Sequence, residues 1–99
     1  MLIVAGHFEV DPERRAEFIA DREELMRTSR AEPGCIAYAF MADPIEPGRV
    51  QLFERWESKD ALATHLGVLR SGPRPASDIK ILAAEIQQYE ISDVGAVGS

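Results

Sequence analysis

The sequence predicts an α+β domain of order β, α, β, β, α, β, with one antiparallel sheet and two helices on one of its faces. Three observations carry this reading. A short apolar run at residues 2–10 is closed by Asp11-Pro12 and followed by a segment whose apolar residues recur at helical spacing. Two runs of alternating pattern, at 35–42 and 50–57, are separated only by the turn-rich Asp43-Pro-Ile-Glu-Pro-Gly48, which predicts an antiparallel hairpin. A helix capped by Ser58 then leads back to strand-like sequence in the second half of 79–91.

The first strand, Leu-Ile-Val-Ala-Gly-His-Phe-Glu-Val, is apolar on much of both faces, so both faces are expected to be covered. Asp11 is placed to cap the first helix, with Pro12 at its first position and Glu13 favourable to its dipole. Phe18, Ile19, Leu25 and Met26 form one apolar stripe, and the helix is expected to run to about Arg30, before Pro33 and Gly34 turn the chain.

In the second strand Ile36, Tyr38 and Phe40 share one face, while Cys35, Ala37, Ala39 and Met41 share the other, the smaller face suited to lie under a helix. The third sets Val50, Leu52 and Trp56 against Gln51, Phe53 and Arg55. In the second helix Leu62, Leu66 and Leu69 fall at i, i+4 and i+7, with His65 on nearly the same inward face and Gly67 a place where the helix is interrupted or ends. Ser71-Gly-Pro-Arg-Pro75 reads as a loop, 86–91 as the last strand, and 92–99 as a loose tail or a partner-contacting arm beyond a domain at 1–91.

This order is the split βαβ arrangement called ferredoxin-like. A 99-residue chain buries only about two-thirds of its unfolded surface, and the sheet face without helices remains apolar. Pairing two such faces across a two-fold axis gives a dimeric α/β barrel, hence a predicted homodimer.

A net charge of −6, with eleven basic residues scattered among seventeen acidic ones, opposes binding to nucleic acid. Charges return at Glu9 and Asp11 after the apolar start, so the sequence carries neither a signal-peptide pattern nor a membrane-spanning run. The lone Cys35, in an apolar strand, reads as a small buried hydrophobe and suits a reducing cytoplasm.

The turn Glu32-Pro-Gly-Cys35 and the run Phe53-Glu-Arg-Trp-Glu-Ser-Lys-Asp-Ala-Leu-Ala-Thr-His65, in this element order, resemble the antibiotic biosynthesis monooxygenase domain family, including its quinol monooxygenase-like members. The resemblance covers residues 2–91. It implies a homodimer with a pocket between helices and sheet in each subunit. Some members oxidise polycyclic phenols or quinols with molecular oxygen and no metal or flavin; others degrade haem, isomerise small phosphorylated carbonyl compounds, or have no assigned activity. The haem-degrading members need an asparagine in the first strand, a tryptophan and a distinct axial histidine. This chain has no asparagine, and His7 stands about where that residue would fall, which disfavours haem degradation.

Metal-ligand and phosphate-binding motifs are missing, so no cofactor is called for. Cofactor-free oxygenation needs a base for a phenolic proton and an apolar cavity to hold the electron-rich anion, and histidine suits the first task. His65 is the preferred base and His7 the alternative; the plainer readings are a core-edge histidine bonded to backbone and a strand histidine facing solvent or the dimer contact. Trp56 is read as a stacking wall for a planar substrate or as core packing. Tyr38, Phe40 and Phe53 are candidates to line the same cavity, and Arg55 either steadies an anion or pairs with Glu54 or Glu57. Arg70 and Arg74 close over the pocket mouth or are solvated charges. Set against a cofactor-independent monooxygenase acting on a small aromatic substrate are a non-enzymatic dimeric binding or stress-associated domain and an isomerase of small carbonyl metabolites.

Overall fold

In the computed structural model, which describes residues 1–72 and 77–98, the elements are β1 (Leu2–Glu9), α1 (Arg15–Ala20), α2 (Glu23–Arg30), β2 (Cys35–Ala42), β3 (Arg49–Trp56), α3 (Lys59–Ser71) and β4 (Ala83–Glu90). The four strands form one antiparallel sheet in the order β2-β3-β1-β4, the ferredoxin-like arrangement with helices on one side. The β2–β3 hairpin is the one the short Pro/Gly connection predicts.

The first helical segment is not continuous. Asp11 accepts a hydrogen bond from the Glu13 amide and, with Pro12 behind it, opens a 3-10 turn at Pro12–Arg14. A second break falls at Arg22, whose amide bonds the Ile19 carbonyl at 3.0 Å in a tightened turn. Its guanidinium folds back to the Phe18 carbonyl and stacks 3.5 Å above the Phe18 ring. The apolar stripe survives the break: Phe18 is fully buried, and Ile19, Leu25 and Met26 pack on the core.

Strand alternation divides the sheet into two surfaces. Leu2, Val4 and Phe8 of β1, Tyr38 and Phe40 of β2, and Val50, Leu52, Glu54 and Trp56 of β3 face the helices. The expectation for β2 is corrected here, because the aromatic face lies under the helices and Ala37 and Ala39 lie opposite. The gap between layers is wide enough for rings: Phe8 sits 5.9 Å from Phe18 and 6.0 Å from Phe40, and Met26 Sδ lies against the Phe40 amide. Ile36 falls at a register shift between Cys35 and Ala37, leaves the Tyr38/Phe40 grouping and is largely exposed.

The other sheet surface carries Ile3, Ala5, Ala37, Ala39, Met41 and Phe53, and no described helix lies over it. Among the described residues β1 is therefore covered by helices on one face only.

Helix α3 also departs from expectation. Ser58 caps it by accepting from the Ala61 amide, and it runs through Gly67 without interruption. Only Leu62 and His65 are buried, while Leu66 and Leu69 of the predicted stripe stand 43% and 36% exposed. β4 starts at Ala83, before the predicted strand, because the free edge of β1 continues pairing as far as Glu9 opposite Ala83. Of the predicted proline loop only Ser71 and Gly72 fall within the described residues, and Arg74 lies outside them. Residues 92–98 form no regular element, and no described helix is long and apolar enough to cross a membrane.

Gly34 and Gly6 are each required by close approach. A Cβ on Gly34, at φ 86°, would stand 2.6 Å from the Ala61 Cβ, so the Pro33-Gly34 turn can tuck against α3 only without a side chain. A Cβ on Gly6 would lie 1.9 Å from the Glu85 carbonyl oxygen of the neighbouring strand. Gly6→Ala is expected to lower stability by on the order of 3 kcal/mol by prising β4 from β1; urea unfolding checks this, and a loss under about 0.5 kcal/mol would contradict the close approach.

Candidate functional site

The helix-side surface of β3 carries one charged residue. Alternation places Glu54 between Leu52 and Trp56, where it is 6% exposed. The Trp56 Nε1–H donates to Glu54 Oε1 at 3.0 Å. Across the ladder Tyr38 of β2 sits opposite Glu54. Position 65 of α3 then lowers an imidazole onto this group, 4.6 Å from the Trp56 ring and 5.2 Å, edge-on, from Tyr38.

His65 is 1% exposed and lies between two carboxylates. Its Nδ1 is 2.8 Å from Glu32 Oε2, on the turn that Gly34 holds against α3. Among the described residues its Nε2 has no hydrogen-bond partner, and it stands 4.0 Å from Glu54 Oε1. An ionised carboxylate only accepts, so the neutral ring is assigned its proton on Nδ1, donating to Glu32, and its lone pair on Nε2. Chemically this is an oriented base with its basic nitrogen directed at a second, buried carboxyl.

Burial is the main force on that carboxyl and pushes Glu54 above the ordinary glutamate range, with the Trp56 hydrogen bond and His65 pulling the other way. Burial also raises the Tyr38 hydroxyl well above its usual range, which keeps it neutral and a donor. The Cys35 thiol is raised by burial as well, consistent with an inert strand residue.

The structure brings together His65, Trp56 and Tyr38, with Phe40 5.9 Å from Tyr38. It does not bring His7, Phe53 or Arg55 to them. The expectation that Phe53 shares a cavity with Tyr38 and Phe40 is corrected, since odd positions of β1 and β3 point to the helix-free surface. There His7 lies 3.7 Å from Glu9, Phe53 lies between Ala5 and Ala39, and the Arg55 Nε faces Met1 Sδ at 3.0 Å with neither Glu54 nor Glu57 as a partner among the described residues.

Two site residues escaped the sequence reading. Glu54 was legible by parity, an acid in register with Val50, Leu52 and Trp56. Glu32 carried no signal beyond its place before Pro33, because its role depends on how the turn meets α3. A surface cleft of about 440 Å³ is lined by Glu32, Pro33, Gly34, Ser58, Ala61 and Thr64 among others. A second, of about 420 Å³, lies between the Pro12 turn and residues 78–82. Neither is lined by His65, Trp56 or His7. Among the described residues no three His, Cys, Asp or Glu side chains are grouped to hold a metal ion.

The raised Glu54 carboxyl predicts a pH signature. The unfolded chain gives up this proton first, so the carboxyl's contribution is intact below the ordinary glutamate range and is lost as pH climbs through the higher folded value. Asp43, held at about 2 chiefly by the Glu46 amide, acts oppositely and at lower pH. Glu54→Gln keeps an acceptor for Trp56 and is expected to gain stability relative to the unmodified protein between pH 5 and pH 8, read by urea titration at both. A constant difference between the two proteins would show Glu54 ionised throughout.

Comparison with known proteins agrees with the fold and adds the family. The sequence pattern described as antibiotic biosynthesis monooxygenase matches residues 1–68. The chain is 34% identical over 94 residues to the uncharacterized protein sll1783 of Synechocystis, a match covering 93% of this chain and 64% of that protein. Among solved structures it is similar to Rv0793 of Mycobacterium tuberculosis, with a TM-score of 0.72 at 22% identity over 96% of this chain and 98% of that one. It is similar as well to the heme-degrader MhuD of the same organism, with a TM-score of 0.70 at 17% identity over 96% and 100%. At such identities the structural likeness speaks for fold alone. The profile over two-thirds of the chain and the relative spanning nearly all of it make the identification: this chain belongs to the antibiotic biosynthesis monooxygenase family.

Proposed function

We propose that this chain is a cofactor-independent monooxygenase that oxidises a small aromatic quinol or phenol with molecular oxygen. The observation that carries the proposal is His65, held through Nδ1 by Glu32 and presenting an unpartnered Nε2 beside Trp56 and Tyr38. Nε2 takes the phenolic proton, and Glu32 stabilises the imidazolium that results. The phenolate, kept from water by the surrounding rings, gives its electrons to oxygen. Trp56 supplies the flat surface against which the substrate ring stacks, with Tyr38 and Phe40 behind it.

Access is by a transient lift of α3 that closes again before reaction: two buried side chains out of thirteen residues, plus the tie to Glu32, hold that helix down, so little apolar area is exposed while it is open, and the tie re-forms over the bound substrate. The helix-free sheet surface, with Ile3, Ala5, Ala37, Ala39 and Phe53, is the homodimer contact, and His7 and Arg55 belong to that contact. The free Cys35 thiol fits a reducing cytoplasm.

One observation favours a second reading. Trp56, Phe18 and His65 are all fully buried, and neither cleft is lined by His65, as a non-enzymatic binding domain with a filled core would show. Oxygen uptake over a panel of quinols and phenols separates the two readings. His65→Ala is expected to lower kcat by roughly 10²–10⁴-fold, and Glu32→Gln by a smaller factor. Aromatic ligands that bind without oxygen uptake would establish the binding domain, and unchanged turnover in His65→Ala would remove that residue from the chemistry.

A further inference from the structure

We propose that Glu54 is the second acid–base group of this oxidation, donating a proton to the peroxide formed on the substrate ring and then removing the ring proton. This rests on the oxygenase reading above. The geometry that points to it is the facing pair His65 Nε2 and Glu54 Oε1. At 4.0 Å the two are too far apart to bond each other, yet close enough that a substrate whose hydroxyl meets Nε2 brings a neighbouring ring carbon, and the peroxide formed on it, within reach of Glu54.

The Trp56 Nε1–H holds Glu54 Oε1 at 3.0 Å, so the carboxyl is fixed in direction. The groups that face it are Tyr38 and Cys35 from β2, His65 from α3 and Glu32 from the turn before β2; its neighbour in β1 is Val4. Arg30 of α2 is committed to the Tyr38 carbonyl. None of these supplies a cation aimed at Glu54 except His65 once protonated, and burial favours the neutral acid.

The reaction needs two proton carriers. His65 Nε2 takes the phenolic proton, and the phenolate and oxygen form a carbon–oxygen bond, leaving a ring peroxide anion. The Glu54 carboxyl protonates that anion to the hydroperoxide. The resulting carboxylate removes the hydrogen from the same ring carbon; the C–H electron pair forms the carbonyl, the O–O bond breaks and hydroxide leaves. Hydroxide takes the proton from His65, so one phenol and one oxygen yield one quinone and one water, with both side chains restored.

Glu54→Gln cannot donate that proton or remove the ring hydrogen. With a quinol substrate the expected result is the unoxygenated quinone with one hydrogen peroxide per oxygen, in place of the oxygenated quinone and water, and loss of the alkaline limb from the kcat–pH profile, since the donor must be protonated to act. Glu54→Asp, which keeps an acid, is expected to restore part of the coupling, and circular dichroism verifies that both variants fold. Infrared difference spectra at neutral pH should show a protonated carboxyl C=O stretch that Glu54→Gln lacks. Oxygenated quinone formed without hydrogen peroxide and an unchanged pH profile in Glu54→Gln, or no such stretch in the unmodified protein, would overturn the role of Glu54. An unmodified protein that consumes no oxygen with any quinol or phenol would instead overturn the oxygenase reading beneath it.

Discussion

The tie between His65 and Glu32 is the constraint on which the site depends. Helix α3 buries two side chains, Leu62 and His65, and the second of these is polar. Such a helix is not seated by apolar area, since one leucine contributes about 2 kcal/mol. It is seated by its Ser58 cap at one end and by the imidazole–carboxylate bond further along. A buried imidazole in this position requires that bond, because an unsatisfied nitrogen inside the core costs about 1–3 kcal/mol. One nitrogen is satisfied and, among the described residues, the other stands without a hydrogen-bond partner. The arrangement therefore spends stability at the buried imidazole.

The backbone makes the tie possible from a distance in sequence. Glu32 reaches His65 only because the turn at Gly34 lies against Ala61 with no side chain between them, and because the Glu57 amide bonds the Gly34 carbonyl at 2.8 Å where β3 ends. Gly6 does the corresponding work on the far side of β1, letting β4 approach the strand. The sheet then separates two tasks by residue parity. Even positions of β1 and β3 build the dry side under the helices, and odd positions build the surface that no described helix covers.

Much of this was legible, and the failures share a cause. Period-two alternation in β3 and the Pro/Gly break before it gave the hairpin, and Asp11-Pro12 and Ser58 gave helix starts, because these signals are local. The choice of which β2 face meets the helices was not local: Ala37 and Ala39 suit close packing, yet Tyr38 and Phe40 lie inside, because Phe18 and Met26 hold the layers far enough apart for rings. Leu66 and Leu69 have ideal spacing and remain exposed, since periodicity reports a face and not whether anything lies opposite it. The break at Arg22 has no proline or glycine to announce it; it arises from an arginine that bonds back to Phe18. At the site, His65 and Trp56 were recognisable by type. Glu32 was not, for its partner is 33 residues away.

Fold alone does not select the chemistry, since the same architecture serves a heme-degrader at a TM-score of 0.70. The selection lies in the charges around Nε2. A phenolate generated there would stand about 4 Å from Glu54, and if that carboxyl were ionised the repulsion would be about 4 kcal/mol at an effective dielectric of about 20. That is about three pKa units against forming the anion, enough to stop oxidation near neutral pH. Burial, which pushes the Glu54 carboxyl upward, lessens that repulsion. Glu32, by contrast, is partly solvated and bonded to the imidazole, so its charge offsets the imidazolium and not the substrate. Two carboxyls that look alike in the sequence thus acquire different surroundings, one buried against Trp56 and one at the lining of a surface cleft.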